Sequence, residues 1–256
     1  EAGYDASVVN AGDIAAYAYA SNDGPARALG IYAHAGTDGS GISTVQNDGG
    51  ITAASYSSQS SQSIGIAAYS DSGNATVDNT GQIVSTATVY AEDYFTDAQA
   101  VGIAASSQAA VSITNSGLIS VAAYAYDVSG YLVSSAEATG IAAYGPSIAI
   151  TNSGDIDAFA SSDIYLGEAI ATGIDAEARN DIVIGNSGDI SLAGSSGDGY
   201  ARSGYYPNYV YFAGDFNGTG IRAVSTYGSI SVTNSGSISI TDLNPVDGMS
   251  GSARSG

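Results

Sequence analysis

The stretch Ser147-Ile-Ala-Ile-Thr-Asn152-Ser-Gly154-Asp-Ile156-Asp-Ala-Phe-Ala160 holds two short runs in which apolar and polar residues alternate, separated by Asn152-Ser153-Gly154. Alternation with period two is the mark of a strand with one buried face. Asn and Gly both accept left-handed backbone angles, so Asn-x-Gly reads as a corner joining two strands. A hairpin is the rival reading, because the same residues make tight turns.

The pattern recurs, which decides between the two. Val/Ile-x-Asn-x-Gly-x-Ile is written seven times, with its corner pairs at Asn10 and Gly12, Asn47 and Gly49, Asn79 and Gly81, Asn115 and Gly117, Asn152 and Gly154, Asn186 and Gly188, and Asn234 and Gly236. Spacing between copies runs from 32 residues (Asn47 to Asn79) to 48 (Asn186 to Asn234). A second pattern, Gly-Ile-x-Ala, interleaves six times, at Gly30, Gly65, Gly102, Gly140, Gly173 and Gly220. Periods of this size signal units that bury their apolar faces only by stacking on copies of themselves.

The expected fold is therefore all-β, a parallel β-helix or β-solenoid of about seven coils, each with three strands and a loop. A competing count makes two shorter coils of each repeat. Ile31, Ile66, Ile103, Ile141, Ile174 and Ile221 should point inward, and so should the alanine two residues after each. The residues between them (Tyr32, Ala67, Ala104, Ala142, Asp175, Arg222) vary as an outward column does. The corner asparagines read as a stacked column satisfying backbone groups from coil to coil.

Length varies between each Asn and the next Gly-Ile, which places variable loops on one edge. The longest, around Gly194 to Gly218, carries Tyr200, Tyr205, Tyr206, Tyr209, Tyr211, Phe212 and Phe216. Aromatic side chains supply contact area at low entropic cost, so this loop is the expected partner-binding surface. The bland alternative folds these aromatics back over the solenoid. Residues 1–256 read as one domain, with repeats from about 5 to 242 and a flexible or capping tail over 243–256. The chain also reads as an excerpt of a longer polypeptide.

Composition narrows the function. The chain has 25 acidic residues, five arginines and no lysine, for a formal net charge of −20. Such a surface repels phosphate backbones and anionic lipid, so nucleic-acid binding is not expected. No apolar run is long enough to span a bilayer as a helix. Cysteine is absent, so no disulfide or thiolate site contributes.

The segments Ala138 to Ile156 and Ala171 to Ile190, with Ala-Thr-Gly-Ile-x-Ala followed by Ile-x-Ile-x-Asn-Ser-Gly-x-Ile or a close variant, resemble the passenger regions of Gram-negative autotransporters and related surface adhesins. The resemblance implies a right-handed parallel β-helix displayed outside the cell, at a bacterial surface, for adhesion, aggregation or biofilm contacts. Expected partners are copies of the chain itself or other surface proteins and glycans, including a head-to-tail homopolymer.

Parallel β-helices also house polysaccharide-acting enzymes, the alternative to an adhesive module. A catalytic site would gather carboxylates with a basic residue. His34 falls on an outward column with Tyr69, Ser106, Tyr144, Glu177 and Val224, and reads as a surface histidine. Asp155, Asp157, Asp175 and Glu177 are paired-carboxylate candidates, better explained as acids on solvated faces. No catalytic residue and no cofactor is expected. Weak surface calcium is the one metal reading, although no calcium-binding nonapeptide or EF-hand loop is present.

Overall fold

The computed structural model describes residues 5–21, 24–36, 41–91, 96–127, 134–163, 167–196 and 215–243. All regular structure among them is β, in three parallel sheets. The first sheet stacks seven strands, Ala6–Asn10, Ser43–Asn47, Ala75–Asn79, Ala110–Asn115, Ser147–Asn152, Ile182–Asn186 and Ile230–Asn234. Each is followed, across the Asn-x-Gly corner, by a strand of the second sheet: Ile14–Ala20, Ile51–Ser57, Ile83–Ala91, Ile119–Asp127, Ile156–Asp163, Ile190–Ser196 and Ile238–Asp242. The third sheet has six strands, Ala26–Ala35, Ser60–Ser70, Thr96–Ser107, Ser134–Gly145, Glu168–Ala178 and Asp215–Ser225. Six repeats are three-strand coils and the seventh shows two strands among the described residues, so the chain is a parallel β-solenoid.

The register stacks like on like. Asn10 pairs with Asn47, Asn47 with Asn79, and so on to Asn186 with Asn234. Ile31, Ile66, Ile103, Ile141, Ile174 and Ile221 form a second column. The interior is built almost wholly of Ile, Val and Ala, with Ile66, Ile103, Ile141 and Ile174 fully buried. Buried serines are partnered within it, as where Ser85 donates to Ser63 and Ser63 to the Ala53 carbonyl.

Length varies where the second sheet passes to the third and also where the third passes to the first, which takes one residue at Pro146 and seven over 36–42, so it is not confined to the one edge expected. Only Ser58 and Gln59 separate Ser57 from Ser60, whereas residues 197–214 separate Ser196 from Asp215. The corner between first and second sheets keeps one length in every coil.

Two further expectations need correction. The corner glycines do not adopt positive φ. Glycine is required there by crowding, because a Cβ on Gly154 would fall inside the carbonyl oxygen of Gly117, and the same holds rung by rung from Gly49 to Gly236. The column after each Gly-Ile isoleucine is also not simply solvated. At each Gly-Ile glycine the ladder skips a pair, Leu29 aligning with Ile64 and Ile31 with Ile66, and the alternation of burial slips by one residue. The outer face folds inward along that line, which buries Ile64, Ala67, Val101 and Ala142 as a small second cluster outside the main core.

Candidate functional surfaces

The corner is built from the side chain upward. Each asparagine closes a first-sheet strand, and in six of the seven, from Asn10 to Asn186, its Nδ2 makes two bonds. One goes to the carbonyl of the glycine two residues on, as from Asn115 to Gly117 at 2.9 Å. The other goes to Oδ1 of the asparagine in the next rung, as from Asn115 to Asn152 at 2.7 Å. The amide chain runs unbroken from Asn10 to Asn234. The side-chain amides thus bond to one another from coil to coil and to a backbone carbonyl of their own coil, while the coil-to-coil backbone bonds of the corner end on the asparagine carbonyls, as from Ser153 N–H to Asn115 O at 2.8 Å. Holding the glycine carbonyl upright is also what removes room for a Cβ in the rung above.

The aromatic loop candidates Tyr200, Tyr205, Tyr206, Tyr209, Tyr211 and Phe212 lie outside the described residues, as does the tail beyond Leu243. Phe216 is described, and it packs against the core.

A second aromatic feature runs along the outer face of the second sheet. Tyr19 and Tyr56 stack with centroids 5.1 Å apart, Tyr56 and Tyr90 stand 5.1 Å apart, and Tyr90 and Tyr126 stack at 4.9 Å. Tyr126 continues to Tyr124 at 6.1 Å and Tyr124 to Phe159 at 5.4 Å. Six rings therefore form one row across five rungs. The repeat pattern does not disclose the row: Tyr19 aligns with Tyr56 and Tyr90 with Tyr126, but Tyr56 aligns with Thr88, and Tyr90 lies two residues further along. In the first four rungs the other outward residues on this face are Ala, Thr, Ser, Val and Tyr17, without a charge among the described side chains. Asp157, beside Phe159, is the first acid met, and partial burial together with the Asp155 charge raises its carboxyl above the usual range. Rings stacked on one another spend their faces internally, so mid-row they offer edges and hydroxyls to a partner. Tyr17 and Tyr19, at 74% and 73% exposure, keep the most open area.

The third sheet carries the polar chemistry. Gln62 donates to Gln99 at 2.6 Å and Gln99 to Glu137 at 3.3 Å, one residue per rung. With Arg27, Asp97 and Ser135 they line an open cleft of about 400 Å³. Ser135 donates to Asp97 at 2.8 Å. Further along, Arg222 donates to Asp175 at 2.7 Å and sits 3.9 Å from Glu177. The Asp175 bond and charge raise the Arg222 guanidinium further above its usual value, and burial first, then Asp175, raises the Tyr144 phenol.

The structure places Asp175 and Glu177 together on this face, whereas Asp155 and Asp157 belong to the corner and the second sheet. His34 stands in the outward column expected for it and meets Asp71 at 3.1 Å through Nε2. Its Nδ1 is buried without a partner. Among the described residues no three His, Asp or Glu side chains converge as a metal-binding group. No protein-family model, curated protein or solved structure matches the chain.

Proposed function

We propose that this chain is a structural and adhesive β-solenoid module, displayed outside a bacterial cell and resembling an autotransporter passenger, that contacts other surface proteins or glycans, or copies of itself. The observation that carries the reading is the aromatic row, whose first four rungs carry no charge among the described side chains, in a chain whose net charge is −20. Carboxylates on opposing copies repel and hold their water. A strip without them is where a second surface approaches at least electrostatic and desolvation cost. Aromatic edges and hydroxyls then supply contact area and hydrogen bonds with few rotors to freeze.

The test is surface retention of the chain on immobilised protein and glycan layers, comparing the parent with the double variant Tyr17→Ser and Tyr19→Ser. Retention should fall at least several-fold with the circular-dichroism spectrum unchanged. Equal retention would remove the strip from the adhesive reading.

A second reading, a polysaccharide-acting enzyme, draws on the open cleft whose lining includes Arg27, Asp97 and Glu137, two carboxylates and a cation on one outer face. Release of reducing ends from a polysaccharide panel, abolished by Glu137→Gln, would establish it in place of the first.

A further inference from the structure

The aromatic row is also a row of phenols. Cysteine, tryptophan and tyrosine are the side chains that give up a single electron most readily, and this chain has no cysteine, no tryptophan and 19 tyrosines. Five of those tyrosines, Tyr19, Tyr56, Tyr90, Tyr126 and Tyr124, lie in one file of rings with each centroid 4.9–6.1 Å from the next. The file stops at Phe159, which has no hydroxyl to lose.

Register sorts the contacts within the file. Tyr19 is the Cα partner of Tyr56, and Tyr90 of Tyr126, so the stems of each pair stand level on neighbouring rungs about 4.8 Å apart. Their rings lie close to parallel, at 17° and 28°. Tyr56 meets Tyr90 from two positions away along the strand, because its own partner is Thr88. Tyr124 and Tyr126 belong to one strand. Only the two register pairs therefore join adjacent coils with level stems. Tyr17 supplies the contrast, since it is as exposed as Tyr19 but has Ala54 as its partner. Tyr19 is 73% and Tyr90 38% exposed, so an oxidant reaches one member of each pair. The torsion that turns a tyrosine ring about its stem is soft, which lets two stacked faces swing into two meeting edges.

We propose that the row is an oxidative modification site, at which Tyr19 couples to Tyr56 and Tyr90 to Tyr126 as dityrosines that rivet adjacent coils. The co-reactant is hydrogen peroxide acting through a haem peroxidase, which takes one electron and one proton from each phenol. Two neighbouring phenoxyl radicals then form one carbon–carbon bond between ring Cε atoms, the positions ortho to oxygen. The two Cε–H bonds break as the rings recover aromaticity, and those protons return to the phenol oxygens. Each link removes two hydrogen atoms from the chain, and one peroxide is reduced to two waters. In a chain without cysteine such a link does what a disulfide does, closing a loop of about one repeat and removing freedom from the unfolded state. The modification goes beyond the adhesive function proposed above and does not depend on it.

The test treats the dilute chain with a haem peroxidase and hydrogen peroxide, takes the band of monomer mass from a denaturing gel, and maps its linked peptides by tandem mass spectrometry. Dityrosine fluorescence should appear in that band, and peptides short of two hydrogens should join Tyr19 to Tyr56 and Tyr90 to Tyr126. Oxidation in denaturing urea, where the register is lost, should lower the yield of both pairs at least tenfold. Tyr56→Phe keeps the ring and loses the hydroxyl, so it should remove the first link and leave the second. The linked parent should melt about 5 °C or more above the double variant Tyr56→Phe and Tyr126→Phe treated in the same way. A monomer band holding neither link would overturn the proposal. So would equal yields in urea, coupling of Tyr17 in preference to Tyr19, or a linked parent that melts with the double variant. A chain that forms both links without adhering would sink the adhesive strip and leave the modification standing; an adherent chain that forms neither would do the reverse.

Discussion

At the residue scale, one side chain in this fold does what a turn sequence alone does not disclose. Asn115 is 1% exposed, and both its amide atoms are engaged between Asn79 and Asn152. Replacing it with alanine leaves one of the two Asn79 Nδ2 hydrogens and the Asn152 Oδ1 acceptor buried without these partners, each costing about 1–3 kcal/mol. Asn115→Ala should therefore lower the thermal midpoint far more than Asn10→Ala, whose site is partly open, and comparing the two melting curves measures the difference. The corner glycine yields a second contrast. If positive φ were the requirement, alanine would be costly at every copy; because the requirement is a stacked carbonyl, Gly154→Ala should strongly destabilise the chain and Gly12→Ala should not. Equal losses for the two in chemical denaturation would overturn this account.

At the element scale, the strands of each sheet are held by repetition of one local arrangement, and the aromatic row is a cross-rung device added to it. Tyr90 bridges Tyr56 and Tyr126. Tyr90→Ser should cost about 1–3 kcal/mol, from two ring pairs at about 0.5–1.5 kcal/mol each. Loss of the tyrosine near-ultraviolet circular-dichroism signal, with the far-ultraviolet spectrum kept, would show that the row was ordered in solution. The last coil carries a pH response. The Asp181 and Asp189 carboxylates accept hydrogen bonds from Ser229 and Ser237 of the following rung, which hold both carboxyls below the ordinary range. A carboxyl depressed in the folded state adds stability that is complete above its unfolded value, about 3.9, and is lost as pH falls through the folded one. The Ser229 and Ser237 amide signals should therefore shift first as pH is lowered from 5 to 2, and Asp181→Asn should remove the response at Ser229.

At the scale of the whole molecule, the solenoid is close to one-dimensional, each coil touching only its neighbours. Central rungs have two neighbours and terminal ones have one among the described residues. Hydrogen exchange should therefore be slowest at Ile103 and Ile141 and fastest at Ile14 and Ile238. Uniform protection along the axis would contradict this.

How much of the molecule was legible in the sequence follows from what repeats. The three strands per coil, the inward isoleucine and alanine columns, the constant corner and the variable passage from second sheet to third were all readable. Each is a local pattern copied at nearly fixed spacing, and only one stacking register lets all copies coincide. The outward position of His34 was readable for the same reason. Why the corner needs glycine was not, because the obstacle is an atom of the rung below, about a repeat away in sequence. The inward fold of the third sheet escaped too, since the skipped pair at glycine lets the outer face close on itself and buries the outward Ala67 against Ile64, Val101 and Ala142, side chains of neighbouring positions and rungs. The aromatic row was hidden because Tyr19 and Tyr56 share one register position and Tyr90 and Tyr126 another, and the two pairs join only through side-chain reach from Tyr56 to Tyr90. Sequence by itself determined the coil and its period, since these follow from alternation and repetition along the chain. Only the tertiary structure decided which surfaces and networks the stack creates: the aromatic strip, the cleft and the buried amide chain exist through atoms brought together by stacking distance, which the order of residues does not state.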